Sequence, residues 1–218
     1  GLGKSMSEHF IALGANLIIA SRKEDVLKET ANEFMEKYKG NVLTSVCDVR
    51  KIEDVKNTIE HGIQTFGSID VLVNNAAGNF ISPTEKLNSK GFDVIIDIVL
   101  KGTSYFSLEM GKYWIEKKIK GKILNIVTTY AWTGSGYVVP SAVSKGGVLT
   151  LTRSLAAEWA KYHINVNAIA PGPFPTKGAW DRLLPKPFEK FINFEKKLPF
   201  KRFGKHHELA NLACFLIS

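Results

Sequence analysis

The sequence predicts an α/β fold: a doubly wound, mostly parallel sheet with helices on both faces. Three observations carry this. Short apolar segments alternate with longer segments of helical periodicity along all 218 residues. The apolar segments are continuous runs rather than in-and-out alternations, the pattern of strands buried on both faces. Helices between successive strands imply right-handed parallel βαβ crossovers.

The elements follow in order. Gly1-Leu2-Gly3 leads into an amphipathic segment carrying Met6, Phe10, Ile11 and Leu13. Residues 15–21 (ANLIIAS) are a β run, and 24–39 space Val26, Leu27, Ala31, Phe34 and Met35 near the helical period. Residues 42–49 return to β. Over 51–66, Ile52, Val55, Ile59, Ile63 and Phe66 share a helix face. Residues 69–74 (IDVLVN) read as a buried strand, 92–118 as one long helical region and 122–127 (KILNIV) as a strand. Residues 141–161 read as a helix in which Gly146 and Gly147 permit close approach to a neighbour. Residues 164–170 (INVNAIA) form a strand ended by Pro171-Gly172-Pro173. Residues 174–205 are proline-rich and irregular, with a short helix expected within 188–197, and 206–218 form a last helix.

Composition narrows the function classes. With 44% hydrophobic and 23% charged residues, disorder, collagen and coiled coil are disfavoured, and the length fits a single domain over 1–218. No apolar run approaches the ~18–20 residues of a membrane helix, so no stable membrane insertion is expected. Cys47 and Cys214 make no disulfide framework and read as buried thiols in a reducing compartment. The five histidines lack metal-ligand spacing, so no metal is expected. The net charge of +8 suits a nucleic-acid binder, an enzyme for polyanionic small molecules, or a compartment bias. The lysines are spread and no arginine-rich tail or aromatic–basic module occurs, which argues against nucleic acid. The chain opens at Gly1 without an initiator Met and stops inside an apolar helix at Ser218. The expectation is therefore a domain cut at both ends.

In such a sheet, ligands sit at the carboxyl ends of the strands. Gly1, Leu2 and Gly3 read as the tail of a glycine-rich phosphate loop ahead of a helix N-terminus, or as a frayed terminus. The next strand ends in Ser21-Arg22-Lys23, where an acidic residue would accept from a ribose 2′-hydroxyl and an arginine accommodates a 2′-phosphate. This favours NADPH over NADH, the alternative being a basic helix start. Asp48, at the end of the following strand, is a candidate acceptor for the adenine amino group, or a helix cap.

The run Asn74-Asn75-Ala76-Ala77-Gly78 after an apolar strand resembles the NNAG signature of short-chain dehydrogenases/reductases, and Ser141-x-x-x-Lys145 and Pro171-Gly172-Pro173 continue that pattern in order. The resemblance covers essentially the whole chain and implies an NADP-binding Rossmann sheet whose first strand, the front of its glycine-rich loop and last strand are missing here, with a gap in the sheet where the first strand belongs. It also exposes departures. Ser141 stands where the common Tyr-x-x-x-Lys tyrosine belongs, Thr128 stands near the usual serine place, and Val99 replaces the usual asparagine. A degraded enzyme or a rebuilt site would show such losses. The rebuilt site fits better: residues 75–85 (NAAGNFISPTE), 130–142 (YAWTGSGYVVPSA), 176–179 and 208–213 look like mitochondrial-type 2,4-dienoyl-CoA reductases. In that family the catalytic tyrosine lies 15 residues before the lysine, which here is the spacing of Tyr130 and Lys145. The peroxisomal branch lacks this tyrosine.

The resemblance implies NADPH-dependent reduction of a 2,4-dienoyl-CoA to a trans-3-enoyl-CoA in the β-oxidation of unsaturated fatty acids, with hydride to C5 and a proton delivered to the α carbon. Tyr130 is implied as the acid and one donor to the thioester oxygen, because a phenol keeps its proton at neutral pH. Asn79 is implied as the second donor, and Lys145 as the cation at the nicotinamide ribose. Ser141 is implied in the lysine–ribose network, or serves as a helix N-cap. Asn75, Pro171, Gly172, Pro173 and Phe174 are implied at the cofactor, with Thr176 as a further contact. Arg22, Arg50, Phe80, Asn88 and Arg182 are implied at the acyl-CoA, with Trp180 another candidate for the acyl channel. Alternatives are an exposed Arg182, a core Phe80 and an Asn79 that caps a turn. Family analogy further implies a homotetramer in the mitochondrial matrix, or in the cytoplasm of a bacterium. Competing readings are a carbonyl–alcohol dehydrogenase and a non-catalytic nucleotide-binding member.

Overall fold

The computed structural model describes residues 1–176 and 194–218. The first half comprises α1 (Leu2–Ala12), β1 (Leu17–Ser21), α2 (Glu24–Lys37), β2 (Val42–Val46), α3 (Ile52–Phe66) and β3 (Val71–Asn74). The second half comprises α4 (Ser89–Ile96), a π-helical turn (Asp97–Lys101), α5 (Gly102–Lys117), β4 (Lys122–Ile126), α6 (Tyr130–Thr133), α7 (Val139–Trp159), β5 (Asn165–Ile169), α8 (Phe194–Lys197) and α9 (His206–Ile217). Every strand pairing is parallel. Among the described residues they form two hydrogen-bonded sets, β1–β2 and β3–β4–β5, rather than one continuous ladder.

Successive residues of β4 serve opposite faces, as the two-residue period of a strand requires. Leu124 and Ile126 join Met6, Phe10, Phe34, Leu209 and Ala213 in one core cluster. Ile123 joins Val55, Met110, Trp114, Leu155 and Trp159 in another. Helices thus cover both faces, and each fully buried Leu, Ile or Phe contributes roughly 1.5–3 kcal/mol of transfer free energy. A third cluster of Ile95, Val99, Val127 and Val148 lies between α4, the π turn, β4 and α7.

The expected single helix over 92–118 is instead α4 and α5 joined by the π turn. The widened turn re-phases the segment. Val99 becomes completely buried. Gly102 lies so close to Val49 that an added Cβ would meet Val49 Cγ2 at 2.7 Å. Helix α7 starts two residues earlier than expected because Pro140 suits the first helical turn. Its glycines do permit close approach: a Cβ on Gly147 would lie 2.9 Å from Leu100, and one on Gly146 would lie 3.2 Å from the Ala131 carbonyl.

Candidate active site

Strand β3 ends on Asn74, and β4 carries Asn125 one residue before its end; both are buried. Asn74 and Asn125 are partners in the ladder. Asn74 Nδ2 donates to Asn125 Oδ1 at 2.9 Å and to Ser107 Oγ at 3.1 Å. Asn125 Nδ2 donates to Thr152 Oγ1 at 2.9 Å, and that hydroxyl donates to the Val148 carbonyl at 2.7 Å. These polar groups are buried among strands and helices, where an unmet donor or acceptor costs about 1–3 kcal/mol. The network therefore ties the end of β3 to β4 and to the covering helices α5 and α7.

The loop after β3 carries Asn79, and α6, after β4, opens with Tyr130. Asn79 Nδ2 donates to the Tyr130 hydroxyl at 3.4 Å, while Asn79 Oδ1 accepts from the Phe80 amide at 2.9 Å, which sets the orientation of the carboxamide. The Tyr130 hydroxyl shares a hydrogen bond of 3.0 Å with Ser141 Oγ. Ser141 is not the N-cap of α7: Val138 occupies that position, and Pro140 in the first turn moves the helix start ahead of Ser141. Tyr130, Asn79 and Ser141 thus form one hydrogen-bonded group from three chain segments.

Lys145, one turn along α7, is 5% exposed and its Nζ donates to the Ile126 carbonyl. Burial pushes this ammonium down from 10.5 to about 8. Nearby in sequence, Thr128 Oγ1 is buried without a hydrogen-bond partner among the described residues. In the sequence Thr128 stands out only as the residue in the usual serine place, and Ser107, Asn125 and Thr152 do not stand out as site residues. The available signal for Asn125 was a polar residue inside the apolar run KILNIV.

The candidate nucleotide residues fall into three places. Gly3 sits on Asn75, since a Cβ there would approach Asn75 Nδ2 at 2.6 Å; Gly1 is the N-cap of α1 and Leu2 its first residue. At the ends of β1 and β2, Ser21 Oγ accepts from the Lys23 amide at 3.3 Å, and the exposed Arg22 bears electrostatically on Asp48. The Asp48 carboxylate accepts from Arg50 Nε at 2.9 and 3.0 Å, from the second guanidinium nitrogen and from the Arg50 backbone amide. The Arg50 guanidinium holds Asp48 down to about 2. After β5, Pro173 O accepts from the Gly204 amide at 3.1 Å, and Gly204 packs on the Phe174 ring. Gly172, Pro173 and Phe174 line a pocket with Leu198, Pro199, Phe200 and Arg202. Pro171 precedes them at the end of β5, and Thr176 is half-buried.

Two substrate candidates acquire structural roles. Asn88 is the N-cap of α4, its side chain accepting from the Gly91 amide at 2.8 Å, and Phe80 packs on the Ile95–Val99–Val127–Val148 cluster. Arg182 and Trp180 lie outside the described residues, as does most of the short helix expected within 188–197.

The comparisons with known proteins agree with this architecture. The family described as enoyl-(acyl carrier protein) reductase, of the short-chain alcohol dehydrogenase type, matches residues 1–218. A Bacillus subtilis protein named "Probable 2,4-dienoyl-CoA reductase", of the (2E)-enoyl-CoA-producing kind, is 41% identical over 100% of this chain and 85% of its own length. A Caenorhabditis elegans protein with a similar name, of the (3E)-enoyl-CoA-producing kind, is 43% identical over 100% and 71%. A zebrafish (Danio rerio) protein named as the peroxisomal enzyme is 31% identical over 100% and 72%. Among solved structures, a short chain dehydrogenase from Bacillus anthracis superposes with a TM-score of 0.89 at 44% identity, covering 100% of this chain and 85% of that one. An actinorhodin polyketide ketoreductase variant with NADPH superposes with a TM-score of 0.91 at 26% identity, covering 100% and 86%. By its sequence throughout and by its fold, the chain belongs to the short-chain dehydrogenase/reductase family of oxidoreductases.

Proposed function

We propose that this oxidoreductase, a single NADP-binding domain over residues 1–218, reduces 2,4-dienoyl-CoA to trans-3-enoyl-CoA with NADPH. The observation that carries the reading is the contact of Asn79 Nδ2 with the Tyr130 hydroxyl at 3.4 Å, from two different loops. Two donors this close can address one thioester oxygen. Three features suit a nicotinamide cofactor: Gly3 leaves no room for a side chain beside Asn75, Lys145 is a buried cation whose described partner is a carbonyl, and Thr128 offers an unused hydroxyl. Gly1, Leu2, Gly3, Ser21, Arg22, Asp48, Asn75 and residues 171–174 would hold it, with Arg22 toward a 2′-phosphate. Relatives named as dienoyl-CoA reductases support the substrate class. We further assign the enzyme to a homotetramer of the mitochondrial matrix, or of the bacterial cytoplasm.

Bound NADPH supplies a hydride for C5 of the conjugated substrate. The protein's work is at the other end of that system. As charge accumulates on the thioester oxygen, the Asn79 carboxamide and the Tyr130 hydroxyl donate to it, and preorganised donors of this kind are worth about 3–4 kcal/mol each. Ser141 holds the Tyr130 hydroxyl, and Tyr130 then releases its proton to the α carbon. Lys145 binds the nicotinamide ribose and places a fixed positive charge near the developing anion. Arg22, Arg50 and Arg182 attract the CoA phosphates, and Phe80 and Asn88 border the acyl group.

The test follows NADPH absorbance with 2,4-hexadienoyl-CoA and then locates the product double bond. Turnover giving the 3-enoyl product supports the reading. A 2-enoyl product would move the proton delivery away from the α carbon. Ketone reduction without dienoyl-CoA turnover would point to a carbonyl–alcohol dehydrogenase.

A further inference from the structure

Tyr137 departs from ordinary backbone. Its φ is 63°, in the left-handed region that glycine enters freely and other residues enter at roughly 1–2 kcal/mol. The residue is 63% exposed, so burial does not offset that strain. What the conformation delivers is its carbonyl, which accepts from the Ser82 amide at 2.9 Å. Strain of this kind, held by a specific contact beside a candidate site, is the pattern that points to function.

The contact joins the two segments that present Asn79 and Tyr130. Residues 75–83 follow β3 without helix or strand until the 3-10 turn at Thr84–Lys86. Residues 134–138 follow α6, whose first residue is Tyr130 and which the Gly134 amide closes on the Tyr130 carbonyl at 3.0 Å. The Asn79–Tyr130 contact itself is 3.4 Å, too long to hold two loops together. The shorter backbone bond between Ser82 and Tyr137 is better suited to that task.

We propose that Tyr137 is a positioning residue, whose left-handed backbone aims its carbonyl at the Ser82 amide and thereby sets the separation of Asn79 and Tyr130. This deepens the function proposed above and rests on it for its rate readout. The backbone, not the aromatic ring, carries the effect. A misplacement of about 1 Å between reacting groups is enough to lower a rate by on the order of a hundredfold.

The experiment compares Tyr137→Gly with Tyr137→Val. Both remove the ring. Glycine accepts the positive φ, whereas a β-branched residue resists it. Steady-state rates with NADPH and 2,4-hexadienoyl-CoA are measured beside hydrogen exchange at the Ser82 amide. Tyr137→Gly is expected to keep kcat within about threefold and the Ser82 amide protected. Tyr137→Val is expected to lower kcat by on the order of tenfold or more, with KM for NADPH unchanged and Ser82 protection lost. Should Tyr137→Val fail to fold, Ser82→Pro removes the donor directly and is expected to show the same loss of kcat. Equal losses in Gly and Val would assign the role to the ring and overturn the proposal. So would a full rate in Val or Ser82→Pro, or a lost rate in Val with Ser82 still protected. Failure of the wild-type protein to turn over dienoyl-CoA would sink the proposed function, and Ser82 exchange in the two Tyr137 variants would then decide the clamp by itself.

Discussion

Replacing Lys145 with methionine should make the cofactor-free protein more stable near pH 7 and abolish that advantage in alkali. The side chain is buried, and burial lowers its pKa from 10.5 to about 8. At about 1.4 kcal/mol per unit, the folded state carries a penalty on the order of 3 kcal/mol for keeping the ammonium charged. Methionine fills similar volume and removes the charge, but it leaves the Ile126 carbonyl without the Lys145 donor, a loss of about 1–3 kcal/mol. The net gain at pH 7 is about 1 kcal/mol, a rise in Tm of roughly 2–4 °C for a chain of this size. The sign of the pH dependence follows from proton counting. Below pH 8 both folded and unfolded Lys145 are charged, so the penalty is fully present. Between about 8 and 10.5 the unfolded chain binds more protons than the folded one, so wild-type stability rises with pH and the penalty fades. The methionine variant lacks this rise. Urea unfolding of both proteins without cofactor, in steps from pH 7 to 10, should show the variant-minus-wild-type difference falling by about 2–3 kcal/mol and changing sign. A difference constant to within about 0.5 kcal/mol across that window would refute the reasoning.

Other expectations follow from the same contacts. In the wild type, NADPH affinity should weaken as pH rises past about 8, because the proposed role of Lys145 at the nicotinamide ribose uses its ammonium form; titration calorimetry from pH 6.5 to 9.5 checks this. Tyr130→Phe should lower kcat by two or more orders of magnitude with NADPH affinity nearly intact. Combined with Asn79→Ala, it should lose less than the product of the single losses, because the proposed mechanism has both donors addressing one oxygen. Arg22→Ala should weaken NADPH far more than NADH in fluorescence titrations; equal losses would remove the 2′-phosphate assignment. Gly121→Ala should lower Tm by several degrees, because the new Cβ would sit 2.1 Å from a ring carbon of Trp114, which is fully buried and donates its indole N–H to the Ile69 carbonyl at 2.6 Å.

Periodicity made the α/β order legible because each strand is a short apolar run and each long helix has one apolar face. It failed where tertiary contacts decide. Residues 92–118 keep a helical pattern throughout, and nothing local announces the π turn that buries Val99 and seats Gly102 on Val49. The four-residue helix α6 was also unreadable, since YAWT is too short for a period. At the site, the proximity of Asn79 and Tyr130 came from family resemblance, not from any pattern in the residues themselves. The reading of Ser141 as a helix cap failed because Pro140 starts the helix sooner. Asp48 read as an adenine acceptor or a helix cap, and nothing in the sequence announced that Arg50, two residues on, would grip its carboxylate, a pairing that depends on rotamers rather than composition. The left-handed Tyr137 left no trace in sequence at all.

The two ladder-paired asparagines also serve as a benchmark for measuring chain. Asn74 and Asn125 are 51 residues apart, and so are Asn79 and Tyr130. Equal contour lengths therefore run from the buried pair to the two groups above it. Deleting one residue from 75–78 or from 126–129 would put the tethers out of step, while deleting one from each would restore their parity at a lower height. In this chain, the relative alignment and the absolute reach of Asn79 and Tyr130 would thus be separable by editing length alone.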